Sequence, residues 1–156
     1  MAIRFATPAD IPDLTELGRR MQAISRFRTF DFDEARVKAS LALALGEKAE
    51  RYVILVATDS QQRVVGSLMG TLERHIFSQQ LVASVMMFLV LPEARMGGHA
   101  VRLLRALEQW CKNRKVVEIN LGINSLTGMD SVGQFVRKMR YAKVGENFVK
   151  TAGLMA

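Results

Sequence analysis

The stretch Phe88-Leu89-Val90-Leu91-Pro92-Glu93-Ala94-Arg95-Met96-Gly97-Gly98-His99-Ala100 decides the reading of this chain. It begins as an apolar, β-rich run. Pro92, which cannot donate to a central ladder, ends it. Beyond two glycines a helical period starts, with Val101, Leu104, Leu107 and Cys111 on one stripe and Trp110 beside it. A strand that turns into a helix over Gly97-Gly98 is an anion cradle. Small residues let the backbone approach a ligand, and the amides of the first helical turn have no partner within the helix. The helix dipole adds a favourable potential for phosphate. Arg95 lies at the mouth of this turn, and Arg102 and Arg105 follow on the helix.

Upstream, Ile3–Ala6 alternates as a short strand. Thr7-Pro8-Ala9-Asp10 is a helix start, with Thr7 as cap, Pro8 at the first helical position and Asp10 reaching back to the cap amide. Ile11, Leu14, Leu17, Met21 and Ile24 then recur at helical spacing. A second helix is expected from Asp33, stopped by Gly46. Tyr52–Ala57 and Val64–Leu72 form a hairpin pattern across a polar turn. Residues 74–80 read as a loop, and Leu81–Leu91 as a buried strand that takes Met86 and Met87 into the core. Downstream, Val116–Ile123 is a strand, residues 124–130 a loop and Ser131–Met139 a helix. One or two short strands are expected through Tyr141–Val144 and Phe148–Lys150. The order predicts a mixed α/β (α+β) fold with a largely antiparallel first half, in a single domain over residues 1–156.

The chain has 156 residues and a formal charge of +7, with 49% hydrophobic and 24% charged residues. That composition suits a globular domain and excludes a disordered one. Residues 1–94 hold 11 basic and 11 acidic residues, whereas residues 95–156 hold 11 basic against four acidic ones. The whole excess therefore begins at Arg95, which points to an anionic partner: a phosphorylated cofactor, an acidic protein or nucleic acid. The basic residues carry no interleaved aromatic motif, so nucleic acid is the least expected of these. A single cysteine excludes an internal disulfide. His75 and His99, the two histidines, have no ligand spacing around them, so no metal centre is expected. No apolar run has the length of a membrane span, and no signal core opens the chain, so a cytoplasmic setting is expected.

The spacing Arg95-x-x-Gly98-x-Ala100 fits Gln/Arg-x-x-Gly-x-Gly/Ala, with Val90-x-Pro92-Glu93 just upstream. Here the sequence resembles the GNAT superfamily of acyl-CoA-dependent N-acetyltransferases. Ile3-Arg4-x-Ala6-Thr7-x-x-Asp10 resembles the family's opening strand and helix, and Val56-Ala57 through Val65-Gly66 its central hairpin. Val101 to Trp110 resembles the helix behind its pyrophosphate loop. The Arg-Met-Gly-Gly-His-Ala variant at 95–100 and Gly122-Ile123-Asn124 are similar to acetyltransferases encoded by bacteriophages and prophages.

The resemblance implies a mostly antiparallel sheet splayed in its middle, flanked by about four helices, with acetyl-CoA as cofactor. Leu89, Val90 and Leu91 would offer backbone hydrogen bonds to the pantetheine arm. The loop residues Arg95, Met96, Gly97, Gly98, His99 and Ala100 would hold the pyrophosphate. An amine of a small molecule or a protein would accept the acetyl group directly, in a ternary complex, and dimers are frequent among such proteins. Glu73 is the first candidate for the base that deprotonates the amine, directly or through water, and His75 the next, since imidazole titrates near neutrality. Asn124 and Ser125 are candidates for orienting substrate or handling a proton. In one respect the chain departs from the family. Where many members place a tyrosine that protonates the leaving thiolate, this chain has Val136, and the glycine four residues on is Arg140. Ser131 and Tyr141 are candidate substitutes alongside Ser125. The departure leaves an alternative: a module of this fold that binds CoA or an acidic macromolecule and acetylates poorly.

Overall fold

The structure, a computed structural model, describes residues 2–122 and 129–154. In chain order the elements are β1 (Ala2–Phe5), α1 (Ile11–Ala23), α2 (Glu34–Leu45), β2 (Tyr52–Thr58), β3 (Val64–Arg74), β4 (Leu81–Val90), α3 (His99–Asn113), β5 (Glu118–Leu121) and α4 (Met129–Lys138). Short 3₁₀ turns occupy Pro8–Asp10, Arg26–Thr29, Pro92–Gly97 and Ala152–Leu154. The strands form one sheet in the order β1-β2-β3-β4-β5. The first three pairings are antiparallel and β4–β5 is parallel. This is the expected mixed α/β architecture. No helix among the described residues is long and apolar enough to cross a membrane.

Local chemistry sets the boundaries. The Asp10 carboxylate accepts the Thr7 amide at 2.7 Å, and Arg4 grips the same carboxylate with two bonds of 2.8 Å. That bidentate pair ties β1 to the start of α1, through a buried acid. Asp33 caps α2 by accepting the Arg36 amide, and Gly46 follows its last residue. In the β2–β3 turn, Asp59 accepts the amides of Gln61 and Arg63.

One core cluster packs α3 against the sheet: Leu103, Leu104, Leu107, Trp110 and Cys111 meet Val53, Leu55, Ala57, Leu68 and Ala83. Each fully buried leucine contributes about 1.5–3 kcal/mol. Helix α3 packs over Gly66 and Gly70 of β3, where an added Cβ would be in ordinary contact with Leu103 and Leu107, at 3.5 and 3.7 Å; the tight approach at Gly66 is the Leu89 carbonyl oxygen, at 3.0 Å. A second cluster joins Leu14 of α1 and Ala44 of α2 to Ile54 and Val56.

Four expectations need correction. Val101 is only half-buried, and Leu103 takes the fully buried place on the α3 stripe. Strand β5 is shorter than Val116–Ile123, because it pairs only with Val82–Val85. Residues 142–150 form no strand. Val144, Phe148 and Val149 are exposed there, so the β-rich composition has no ladder or core to join. Met86 and Met87 are exposed rather than in the core.

Candidate functional site

The site begins with a defect in β4. Along β3, Met69 pairs with Met87 but Gly70 pairs with Val85, so Met86 is an extra residue on β4. Such a β-bulge bends its strand and breaks pairing. Strand β5 follows β4 only as far as Val85↔Leu121. From Met86 to Val90, β4 runs on without a ladder bond to β5. The β4–β5 ladder therefore splays at Met86, and beyond it the β4 residues, including Leu89 and Val90, pair with β3 alone among the described strands. The Phe88 ring lies 6.1 Å from that of Phe135 on α4.

Strand β4 leads into the 3₁₀ turn Pro92–Gly97 and then, through Gly98, into α3. Leu91 stays buried, its amide bonded to the Val65 carbonyl at 2.9 Å. Gly98 has φ +69°, a left-handed conformation that glycine adopts without the penalty a side chain brings. It is the N-cap of α3 and supplies no capping side chain, so the first amides of a 15-residue helix are left for an external acceptor. A Cβ at Gly98 would meet only Arg102 Nη2, at 4.0 Å, so this side of the loop is open. Arg95, Met96, Arg102 and Arg105 are exposed around it. Among the described residues the three arginines enter no ion pair. Residues 95–100 and Leu89–Leu91, expected to bind a cofactor, thus run from the end of β4 through one 3₁₀ turn to the start of α3. This arrangement suits an elongated anion, with phosphate at the helix start and an amide-bearing arm beside the β4 edge that β5 does not pair.

The loop is tied to α1. Glu93 accepts Arg20 at 2.7 Å, and that guanidinium holds the exposed carboxyl below its ordinary range.

The candidate proton-transfer residues lie at the other end of the sheet. Glu73 is opposite Val82, four residues from the bulge, or about 13 Å along the strand. Its carboxylate is 4.0 Å from Arg51 Nη2 and borders an open depression of about 580 Å³ with Glu50, Arg51, Leu72, Arg74 and Leu81. His75 lies in the β3–β4 turn, where its Nδ1 accepts the Phe77 amide at 3.2 Å. Asn124 and Ser125 lie outside the described residues. Ser131 is exposed on α4. Tyr141 is engaged elsewhere: its hydroxyl donates to Glu108 Oε1 at 3.2 Å, and burial, with the neighbouring Glu108, pushes its pKa up. The buried Cys111 thiol is raised to about 11, mainly by desolvation, which makes it a packing residue. No group of three or more metal-ligating side chains occurs among the described residues.

Sequence reasoning missed Met86. A bulge depends on the register of the neighbouring strand, which the alternation within β4 does not carry.

Comparison with known proteins agrees with this fold. The acetyltransferase (GNAT) family profile matches residues 19–127. None of the curated proteins matches the chain by sequence. Among solved structures, a transcriptional regulator from Bacillus halodurans C-125 superposes with a TM-score of 0.79 at 17% identity, covering 96% of this chain and 98% of that one. An aminoglycoside antibiotic 6′-N-acetyltransferase from Acinetobacter haemolyticus gives 0.74 at 20% identity, covering 97% of both chains. An aminoglycoside acetyltransferase from an uncultured soil metagenomic sample, in complex with sisomicin, gives 0.74 at 18% identity, covering 96% and 95%. At these identities the likeness is one of fold.

Proposed function

Because the chain belongs to the acetyltransferase (GNAT) family, we propose that it is an acetyl-CoA-dependent N-acetyltransferase acting on a primary amine. The observation that carries this reading is the continuity of the Met86 splay with the left-handed Gly98 loop and its three arginines. The cofactor would bring the acetyl group as a thioester. The first-turn amides of α3 and Arg95 and Arg102 would hold its diphosphate, and the β4 backbone at Leu89 and Val90, on the side away from β3, would take its amide-bearing arm; Leu91 would pack beneath, since its amide and carbonyl are already bonded to Val65 and Ala94. What remains for the protein is positioning and proton handling. Glu73 is the first choice of base on this reading; standing about 13 Å along the strand from the bulge, it would act on the amine only through a chain of waters. His75 is second choice, because its Nδ1 already serves the β3–β4 turn. The thiolate needs little help to leave, since a thiol pKa is about 8.5, so Val136 is compatible with turnover. The acceptor class fits an amine-bearing small molecule; two structural neighbours are described as aminoglycoside acetyltransferases.

Val136 also favours a second reading, a CoA-binding module with weak catalysis. Lys112, Arg114 and Lys115 around the end of α3, with the basic residues of 137–143 around the end of α4, exceed what one cofactor uses and would face an acidic partner. Calorimetry with acetyl-CoA and CoA tests both readings, and absence of binding at high micromolar cofactor defeats both. Thiol release over a panel of amines then separates them. Under the first reading Glu73→Gln lowers kcat at least tenfold without changing cofactor affinity; unchanged turnover would remove Glu73 as the base.

A further inference from the structure

His99 is the first residue of α3 and is 4% exposed. Its ring folds back over the preceding loop: Nε2 and Cδ2 lie 2.7 and 2.8 Å from the place a Cβ on Gly97 would take. Gly97 itself has no left-handed φ, which among the described glycines belongs to Gly98 alone. The ring, not the backbone, is what requires glycine at 97. His99 Nδ1 is buried with no hydrogen-bond partner. Leaving a buried polar group unsatisfied is unfavourable, so its presence inside a ligand loop calls for a reason.

Three charges act on the ring besides its burial. Desolvation is the largest influence and lowers its pKa from 6.5; Arg102 on α3 and the amino terminus lower it further, and Asp59 in the β2–β3 turn raises it. Without a ligand the imidazole is therefore neutral at pH 7. The amides that would receive a diphosphate belong to His99 and its neighbours, and consecutive Cα atoms are about 3.8 Å apart. A diphosphate held there would bring negative charge close to the ring, and a nearby opposite charge favours the ionised form.

We propose that His99 is a positioning residue of the phosphate loop, and that the loop takes up a proton on this ring when it binds the diphosphate of its cofactor. The proposal rests on the reading of the loop as a CoA cradle. The proton passes from solvent to the unprotonated ring nitrogen, and no covalent bond to the ligand forms. Binding then strengthens as pH falls through the ring's pKa in the complex, and is flat at more alkaline pH.

The test uses 3′-dephospho-CoA, which has the diphosphate but no titrating phosphate monoester. Calorimetry near neutral pH in two buffers of different ionisation enthalpy reports net proton uptake. Wild type is expected to take up on the order of half a proton, and His99→Asn none, with affinity independent of pH. The chain has two histidines, so proton NMR resolves both rings, and His75→Gln assigns them. On saturation the His99 midpoint is expected to rise by about one unit. This measurement on His99-containing protein stands even if His99→Asn fails to fold. Equal proton uptake by wild type and His99→Asn, or an unmoved His99 midpoint in the complex, overturns the proposal while leaving the cradle intact. Failure of wild type to bind the probe at all removes the cradle reading and this inference with it.

Discussion

The backbone amide of Tyr141 is hydrogen-bonded to the carbonyl of Val136 at 3.0 Å. Inside that loop the Arg140 amide bonds the Arg137 carbonyl at 2.9 Å, and Arg140 has φ +68°. Together these are the two bonds and the left-handed residue of a Schellman helix end. Arg140 thus occupies a position whose backbone favours glycine, as the family pattern has there. A side chain in that conformation costs about 1 kcal/mol. Arg140→Gly is expected to stabilise the protein by about that amount, read as a higher urea midpoint at unchanged slope.

The same helix end places the family's tyrosine slot at Val136. Val136→Tyr is expected to raise kcat about tenfold with little change in the KM for acetyl-CoA, a gain at the low end of general acid catalysis because thiolate departs readily. Steady-state thiol release on the best amine of the panel checks it. An unchanged kcat would mean that proton delivery does not limit turnover.

Gly97 and His99 compete for one space. Gly97→Ala is expected to destabilise the protein by about 1–3 kcal/mol, because the ring or the loop must shift. Adding His99→Ala removes the obstruction, so the double variant should recover part of the loss relative to additivity. A double-mutant cycle by chemical denaturation measures this coupling.

Asp10 gives a pH dependence of known sign. The Arg4 guanidinium, with the Thr7 amide and hydroxyl, lowers its pKa from 3.8 to about 2. A depressed carboxyl pKa contributes stability above pH 3.8 that is lost as pH falls towards 2. Arg4 is partly exposed, and solvent screening reduces the contribution to about 1–2 kcal/mol. Asp10→Asn should lower stability at pH 7 by about that amount and flatten its decline between about pH 4 and 2.

Much of this was legible in sequence because the determining signals are local. Thr7 and Asp10 sit within one turn, Gly46 ends a helical period, and Gly97-Gly98 join an apolar run to an amphipathic one. What escaped depended on other elements. Val144, Phe148 and Val149 have strand composition, but a strand also needs a partner ladder. Leu103 outranks Val101 because the sheet beneath α3, built from residues far off in the chain, decides which face of the helix is covered. Glu73 and His75 are chemically apt and near in sequence, yet both lie at the hairpin end of the sheet rather than at the splay.

On β3, Gly66, Leu68 and Gly70 are all even-numbered and look towards α3; opposite them on β4 stand Val90, Phe88 and Val85. The parity of β4 therefore changes from odd to even across Met86. The side chains of a strand alternate, so a frame one residue shorter would turn Phe88 and Val90 away from the helix they pack under. Met86 acts as a spacer in the counting sense. The strand keeps one inner face on both sides of the break, and the length of the segment between Val85 and Phe88 is as strongly specified as any side chain in it.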